Sequence, residues 1–310
     1  MILALAGGVG GAKLANGLAA VLPPGSLTVA VNIADDFEHL GLTICPDIDT
    51  VTYTLAGIND TKQGWGLEQE SWAFLDSLAT LGGETWFRLG DRDLATHVQR
   101  MLRLRAGDTL SAITADFATR LGIAQAIVPI SDDPVRSFVM TDEGELPFQD
   151  YFVRRRCEPR FVAIRYEGAE SARPSPALRK ALDDPGLQAI IICPSNPMLS
   201  IDPILAVPEI GARIRARSVP CVAVSPFIGG QAVKGPAAKI MAELGLASTP
   251  AAVAAHYAGV IDGLVIDTAD SAAGNLPALP LHATDILMRD TDDQRRLAGE
   301  VLSFALGLAG

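Results

Sequence analysis

The chain has 310 residues, 49% of them hydrophobic and 20% charged, a composition that folds and excludes an intrinsically disordered polypeptide. Its formal net charge of -11 repels nucleic-acid phosphates, so no nucleic-acid partner is expected. No apolar run approaches the ~20 residues of a membrane span, so no membrane partner is expected either.

Residues 2–6 are apolar and run straight into glycines without a charged leader, which reads as a first buried strand rather than a signal peptide; a cytoplasmic location follows. Residues 11–21 read as a helix closed by Pro23-Pro24-Gly25, and 27–32 as the second strand. A largely helical region follows over 49–56, 68–81, 94–103 and 110–121. Residues 125–130 return to strand and stop at Ser131-Asp132-Asp133-Pro134. From 135 to 184 the pattern changes to a hairpin around Asp142-Glu143-Gly144, a basic and aromatic stretch, and a short helix. Strands resume at 189–193, 221–225 and 263–266, and residues 292–308 form a last amphipathic helix. This alternation predicts an α/β fold, Rossmann-like and doubly wound around a mostly parallel sheet. Residues 1–134 and 185–310 form the nucleotide-binding core and 135–184 a small inserted α/β subdomain. Four scattered cysteines, Cys45, Cys157, Cys193 and Cys221, have no C-x-x-C spacing and imply neither a disulfide framework nor a zinc site.

The chemistry-bearing segments fall at strand ends, where open parallel sheets bind ligands. Gly7-Gly8-Val9-Gly10-Gly11-Ala12-Lys13 follows the first strand, and its glycines allow close approach of a phosphate to a helix N-terminus. It is neither a Walker A loop nor a strict G-x-G-x-x-G. Asn32-Ile33-Ala34-Asp35-Asp36 and Cys45-Pro46-Asp47-Ile48-Asp49 bring four carboxylates near two element ends, a set suited to Mg²⁺ completed by waters and substrate phosphates. Asp47 and Asp49 are two apart and do not share a helix face, so one is expected to ligate and the other to cap. Leu89-Gly90-Asp91-Arg92-Asp93-Leu94-Ala95-Thr96-His97 places Asp93 and His97 as i,i+4 neighbours. Ser131-Asp132-Asp133-Pro134-Val135-Arg136, Pro194-Ser195-Asn196-Pro197 and Ser225-Pro226-Phe227-Ile228-Gly229-Gly230 each follow a strand. Each also has the composition of a plain turn.

Together these segments resemble the 2-phospho-L-lactate transferase family of coenzyme F-420 biosynthesis, over about residues 7 to 285. The resemblance implies a phosphoryl-type transfer. A guanosine diphosphate carrying a small acid on its β-phosphate (2-phospholactate, phosphoenolpyruvate or 3-phosphoglycerate type) is attacked by the terminal ribityl hydroxyl of the deazaflavin Fo, and GMP leaves. It also implies Mg²⁺ as cofactor, two small-molecule substrates as partners, and a homodimer. By the same resemblance Asp49 is the catalytic residue, with Asp49 and Asp47 at the metal. Gly8, Gly10, Gly11, Lys13, Ser195, Asn196, Pro226 and Gly229 contact the nucleotide. Asp36, Asp91, Asp93 and His97 face the deazaflavin. Two other classes come near this pattern. A non-enzymatic nucleotide-sugar-binding regulator of a related family shares the glycine loop and second-strand aspartates. An NAD-dependent dehydrogenase requires a glycine spacing that is absent here.

Overall fold

A computed structural model of the chain describes residues 1–232, 236–271 and 279–308. The chain opens with β1 (Ile2–Ala6), α1 (Gly8–Val21) and β2 (Leu27–Val31), followed by a short hairpin of β3 (Phe37–His39) and β4 (Leu42–Ile44). Four helices come next: α2 (Pro46–Leu55), α3 (Ala73–Thr80), α4 (Asp93–Arg105) and α5 (Leu110–Arg120). Then come β5 (Ala126–Pro129), β6 (Arg136–Thr141), β7 (Gly144–Pro147), β8 (Phe161–Glu167), α6 (Pro176–Leu182) and β9 (Ala189–Ile192). The remainder comprises α7 (Asp202–Ala206), α8 (Pro208–Arg215), β10 (Cys221–Val224), β11 (Phe227–Ile228), β12 (Gln231–Ala232), α9 (Ala237–Glu243), α10 (Pro250–His256), β13 (Gly263–Asp267), β14 (Leu281–Thr284) and α11 (Thr291–Gly307).

Seven strands form one parallel sheet in the order β14-β13-β10-β9-β1-β2-β5. β1, β2, β9, β10 and β13 are buried along their whole length, as expected of strands covered by helices on both faces. The chain grows from β1 toward β5, then returns to lay β9 on the other side of β1. That reversal leaves a crevice at the carboxyl ends of β1 and β9, the topological switch point where such sheets receive ligands. α1 packs against both α2 and α11. β6, β7 and β8 form a separate antiparallel sheet whose hairpin turns at residues 142 and 143, where the sequence placed it.

The structure moves several boundaries. α1 begins three residues before the expected start, because Gly8 takes a left-handed φ of 63° and turns the chain directly into the helix. The helix expected over 68–81 shrinks to α3. Residues 58–68 instead form a tight loop in which the Asp60 carboxylate accepts from the amides of Lys62 and Gln63, and Gln69 is left-handed. β14, beside a polar and histidine-bearing edge, carries no apolar run and was not expected.

Candidate active site

The crevice widens into a cleft of about 850 Å³. Its floor is made where four chain segments are tied together by polar side chains. The Ser195 hydroxyl donates to the Gly7 carbonyl at 2.9 Å and accepts from the Gly7 amide at 3.3 Å, joining the β1 and β9 ends. The Gly8 amide donates to Asp47 Oδ1 at 2.7 Å, and Asn32 Nδ2 donates to Asp47 Oδ2 at 3.0 Å. Asn32 also caps its own turn by accepting from the Ala34 amide at 2.9 Å. Gly7 gives α1 no cap of its own and the first turn has no acidic residue; Asp47 occupies the first amide, that of Gly8. The N-terminus of a 14-residue helix therefore opens on the cleft through Val9 and Gly10, which suits an anion.

Gly10 is glycine for packing. A Cβ there would lie 2.2 Å from the Pro194 carbonyl, and its φ is not left-handed. Gly11 meets Ser195 and Ala6 in the same way. Only Gly8 in this loop needs the left-handed conformation.

Opposite the glycines lie Asp35, Asp47 and Asp49, all buried. Burial pushes the Asp47 carboxyl up to about 6, partly offset by its bonds from Asn32 and Gly8. Burial raises Asp35 well above the carboxylate range, with Asp47 and Asp36 adding repulsion. Asp36, lying beneath them, is pushed by burial to about 7 although Arg136 and Cys45 favour its charged form.

Asp49 is different. It forms a bidentate ion pair with Arg100, whose Nη1 lies 3.1 Å from Asp49 Oδ2 and whose Nη2 contacts Oδ1. Arg100 is 1% exposed. It also faces the Thr43 carbonyl at 3.3 Å and His97 Nδ1 at 3.3 Å. His97 Nε2 lies 3.1 Å from Asp93 Oδ2, outside hydrogen-bond alignment, and Tyr53 donates to Asp93 Oδ1 at 2.6 Å. A chain of contacts thus runs Tyr53–Asp93–His97–Arg100–Asp49 along one wall.

Neither Asp47 nor Asp49 caps α2, whose N-cap Cys45 makes no side-chain bond. One aspartate reaches back to the glycine loop and the other to α4, so the expected capping role falls to neither.

Of the other residues singled out in the sequence, Gly8, Gly10, Lys13, Asp93, His97, Ser195, Asn196 and Pro226 line the cleft with Asp47 and Asp49. Gly11, Asp36, Asp91 and Gly229 do not. Gly11 is buried behind the loop and Asp36 behind the acids. Asp91 accepts from Ser71 and from the amides of Ala73 and Phe74, holding the start of α3. The Gly229 amide donates to Asp270 at 3.1 Å. Lys13 donates to the Met288 carbonyl at 2.6 Å. Part of the 225–234 segment, residues 233 and 234, lies outside the described residues. The Ser131–Arg136 string is not at the cleft; Asp132 bonds Ser111, and Ser131 and Asp133 bond the backbone of Arg173.

Sequence reasoning missed Arg100, Tyr53 and an aromatic wall of Trp65, Trp86, Phe87, Phe148 and Phe152, all lining the cleft except the deeper Arg100. Arg100 had a signal, since Asp93, His97 and Arg100 stand at i, i+4 and i+7 on one helix face. The aromatics come from two loops and the segment after β7, and had none.

The description "2-phospho-L-lactate transferase CofD" is that of a family model which matches residues 2–301. The chain belongs to this family. A phosphoenolpyruvate transferase of Streptomyces avermitilis is 40% identical, over 98% of both chains. The 2-phospho-L-lactate transferase of Methanosarcina mazei is 37% identical, over 96% of this chain and 98% of its own. Among solved structures, a UPF0052 family protein from Bacillus halodurans aligns with a TM-score of 0.60 at 13% identity, covering 97% of this chain and 98% of that one, and shares the fold. The protein is thus an enzyme that transfers a phosphate-containing group in coenzyme F-420 biosynthesis.

A metal fits the cleft only in part. Among the described residues no group of three or more His, Cys, Asp or Glu side chains is placed to hold one. Mg²⁺ completed by waters and substrate phosphates needs only one or two carboxylates. Asp35 and Asp47 meet that need: they repel each other, and Asp35 Oδ1 is buried with no hydrogen-bond partner. The charge of Asp49 is already opposed by Arg100.

Proposed function

We propose that the protein transfers a three-carbon phospho-acid from its guanosine-diphosphate-activated form to the ribityl hydroxyl of Fo, releasing GMP, in the cytoplasm. The observation that carries this reading is the meeting, at one switch point, of a helix N-terminus open through Val9 and Gly10, its first amide held by Asp47, with a buried pair of like-charged acids. Such a floor favours a polyphosphate bridged by a divalent cation. The phosphates lie along Gly8, Val9, Gly10 and Lys13, with Ser195 and Asn196 fixing the loop opposite. The hydroxyl oxygen attacks the β-phosphorus and releases its proton to solvent, the bond to the α-phosphate oxygen breaks, and that oxygen leaves with GMP. Positioning and charge neutralisation account for most of the acceleration. Mg²⁺, when bound at Asp35 and Asp47, supplies positive charge to the phosphate oxygens. Asp49, paired with Arg100, closes the edge of the acid floor. Asp93 and His97 line the side that receives the deazaflavin.

A homodimer is supported by α3, which buries none of its residues and leaves Phe74 exposed beside Leu81, with Val98 and Leu102 exposed on α4. Sedimentation of the purified protein should give twice the chain mass, and Phe74→Asp should lower it to one.

The deciding experiment mixes protein, Mg²⁺, Fo and each guanylylated acid (lactate, enolpyruvate and glycerate types) and follows products by mass spectrometry. GMP should appear only when donor and Fo are both present. Release of GMP without Fo makes the protein a hydrolase and ends this reading.

A further inference from the structure

The cleft has two unlike halves, and the aromatic half includes an exposed ring that no other ring or cation covers among the described residues. Trp86 carries the Arg154 guanidinium 4.5 Å from its centroid and His39 against its edge. Phe87 is packed edge-on by Phe37 at 4.8 Å. Phe148 and Phe152 stack on each other at 5.3 Å. Trp65 lines the same cleft, is 39% exposed, and among the described residues has no ring or cation partner.

Its loop is built to present it. Trp65 stands between Gly64 and Gly66, both left-handed with φ of 82° and 74°. The loop is closed by the Gly64 amide on the Asp60 carbonyl at 2.8 Å and the Asp60 amide on the Gly66 carbonyl at 3.0 Å. A large apolar ring held in water on a braced turn costs free energy unless something covers it. At a cleft mouth, a planar heteroaromatic ring stacks there with little loss of side-chain freedom.

We infer that Trp65 is the stacking platform for the planar ring of the acceptor and so sets which acceptors the enzyme accepts. This rests on the transfer reading above. The cleft continues past the glycine loop to Pro226 and Met288, which leaves room for the guanine of the donor away from Trp65.

The test begins with wild-type protein, where Fo-dependent GMP release is measured first; if there is none, the transfer reading itself has failed. With release established, Trp65→Ala should raise KM for Fo by roughly tenfold or more, with KM for the donor and calorimetric GDP affinity within about twofold of wild type. Trp65→Phe should restore most of the Fo affinity, which a merely structural defect would not. Weakened GDP binding with an unmoved KM for Fo would instead place the base of the donor on Trp65 and overturn the inference. An Ala variant unchanged toward both substrates would overturn it as well.

Discussion

The two aspartates on the first turn of α2 sit two residues apart and are buried to a similar degree, yet their surroundings are opposite. Asp47 meets only neutral donors, the Gly8 amide and Asn32, and shares its pocket with another acid. Asp49 meets a buried guanidinium through both oxygens. A charge without a protein counter-ion is poised for a ligand, whereas a paired charge is already part of the structure. Residue type and spacing are the same for both; the partner contributed by a distant helix decides which is which.

Asp47→Asn sharpens this contrast most. It keeps the shape but removes charge from the cation site, so turnover should fall by more than ~100-fold. The melting temperature should change little, since relief of the repulsion with Asp35 offsets the acceptor lost toward Asn32 or Gly8. A folded Asp47→Asn enzyme working at near wild-type rate would break the contrast. Asp49→Asn should do the reverse in stability: leaving Arg100 buried without its partner costs about 3–5 kcal/mol, read as an early chemical-denaturation midpoint. An additional Arg100→Met change should recover much of that loss.

The pH dependence comes next. Asp35, Asp36 and Asp47 all have folded pKa values above those of the unfolded chain. Such groups contribute stability that is complete below the unfolded carboxylate range and lost as pH rises through the folded value, which is about 6 for Asp47 and about 7 for Asp36. Metal-free protein should therefore melt several degrees lower at pH 8 than at pH 5.5. Saturating Mg²⁺ should flatten the slope by stabilising the protein more at the higher pH; a Mg²⁺ increment that is equal at both would mean the cation does not sit on these acids.

Gly10→Ala probes the floor from the backbone side. Its new methyl meets the Pro194 carbonyl, so stability should drop by about 1–3 kcal/mol, with nucleotide affinity falling as the loop shifts. The smallest effect is expected at Asp91→Asn. Asn keeps one acceptor oxygen but its amide nitrogen cannot accept on the other side, where Asp91 takes bonds on both oxygens, so stability should fall by about 1 kcal/mol while KM for Fo should not move; a raised KM would return Asp91 to the acceptor site.

The parallel sheet was legible because its strands are short apolar runs bounded by glycine and proline, and because strand ends predict where polar segments converge. The Gly7–Lys13 loop, the Asp47–Asp49 turn and the Pro194–Asn196 turn were found on that basis and do meet. What could not be read were relationships that cross the chain. Ser131 to Arg136 looked like a ligand loop because turn-forming residues after a strand are common to both uses. Its carboxylates prove to bond Ser111 and Arg173. The sequence offers close approach of a phosphate as the reason for the loop glycines; at Gly10 the fold adds a demand from across the chain, clearance for the Pro194 carbonyl. Arg100 was invisible as a partner because nothing local announces that Asp49, 51 residues away in the chain, meets it in the folded cleft.

The Arg100 contact also couples the site to the order in which the molecule comes apart. α4 buries only His97 and Arg100, and α3 buries nothing, so little apolar surface holds this pair of helices to the sheet. Regions of that kind open on their own, at a free energy below that of global unfolding. Each such opening withdraws Arg100 from Asp49 and parts His97 and Asp93 from the cleft while the glycine loop, braced by Ser195 and Asn32, stays folded. In monomeric Phe74→Asp protein, where no partner covers α3 and α4, amide exchange should accordingly divide the site in two, with α4 exchanging early and β1 and β9 last. The enzyme then has a half-assembled state in which the phosphate floor persists and its acid edge is undone.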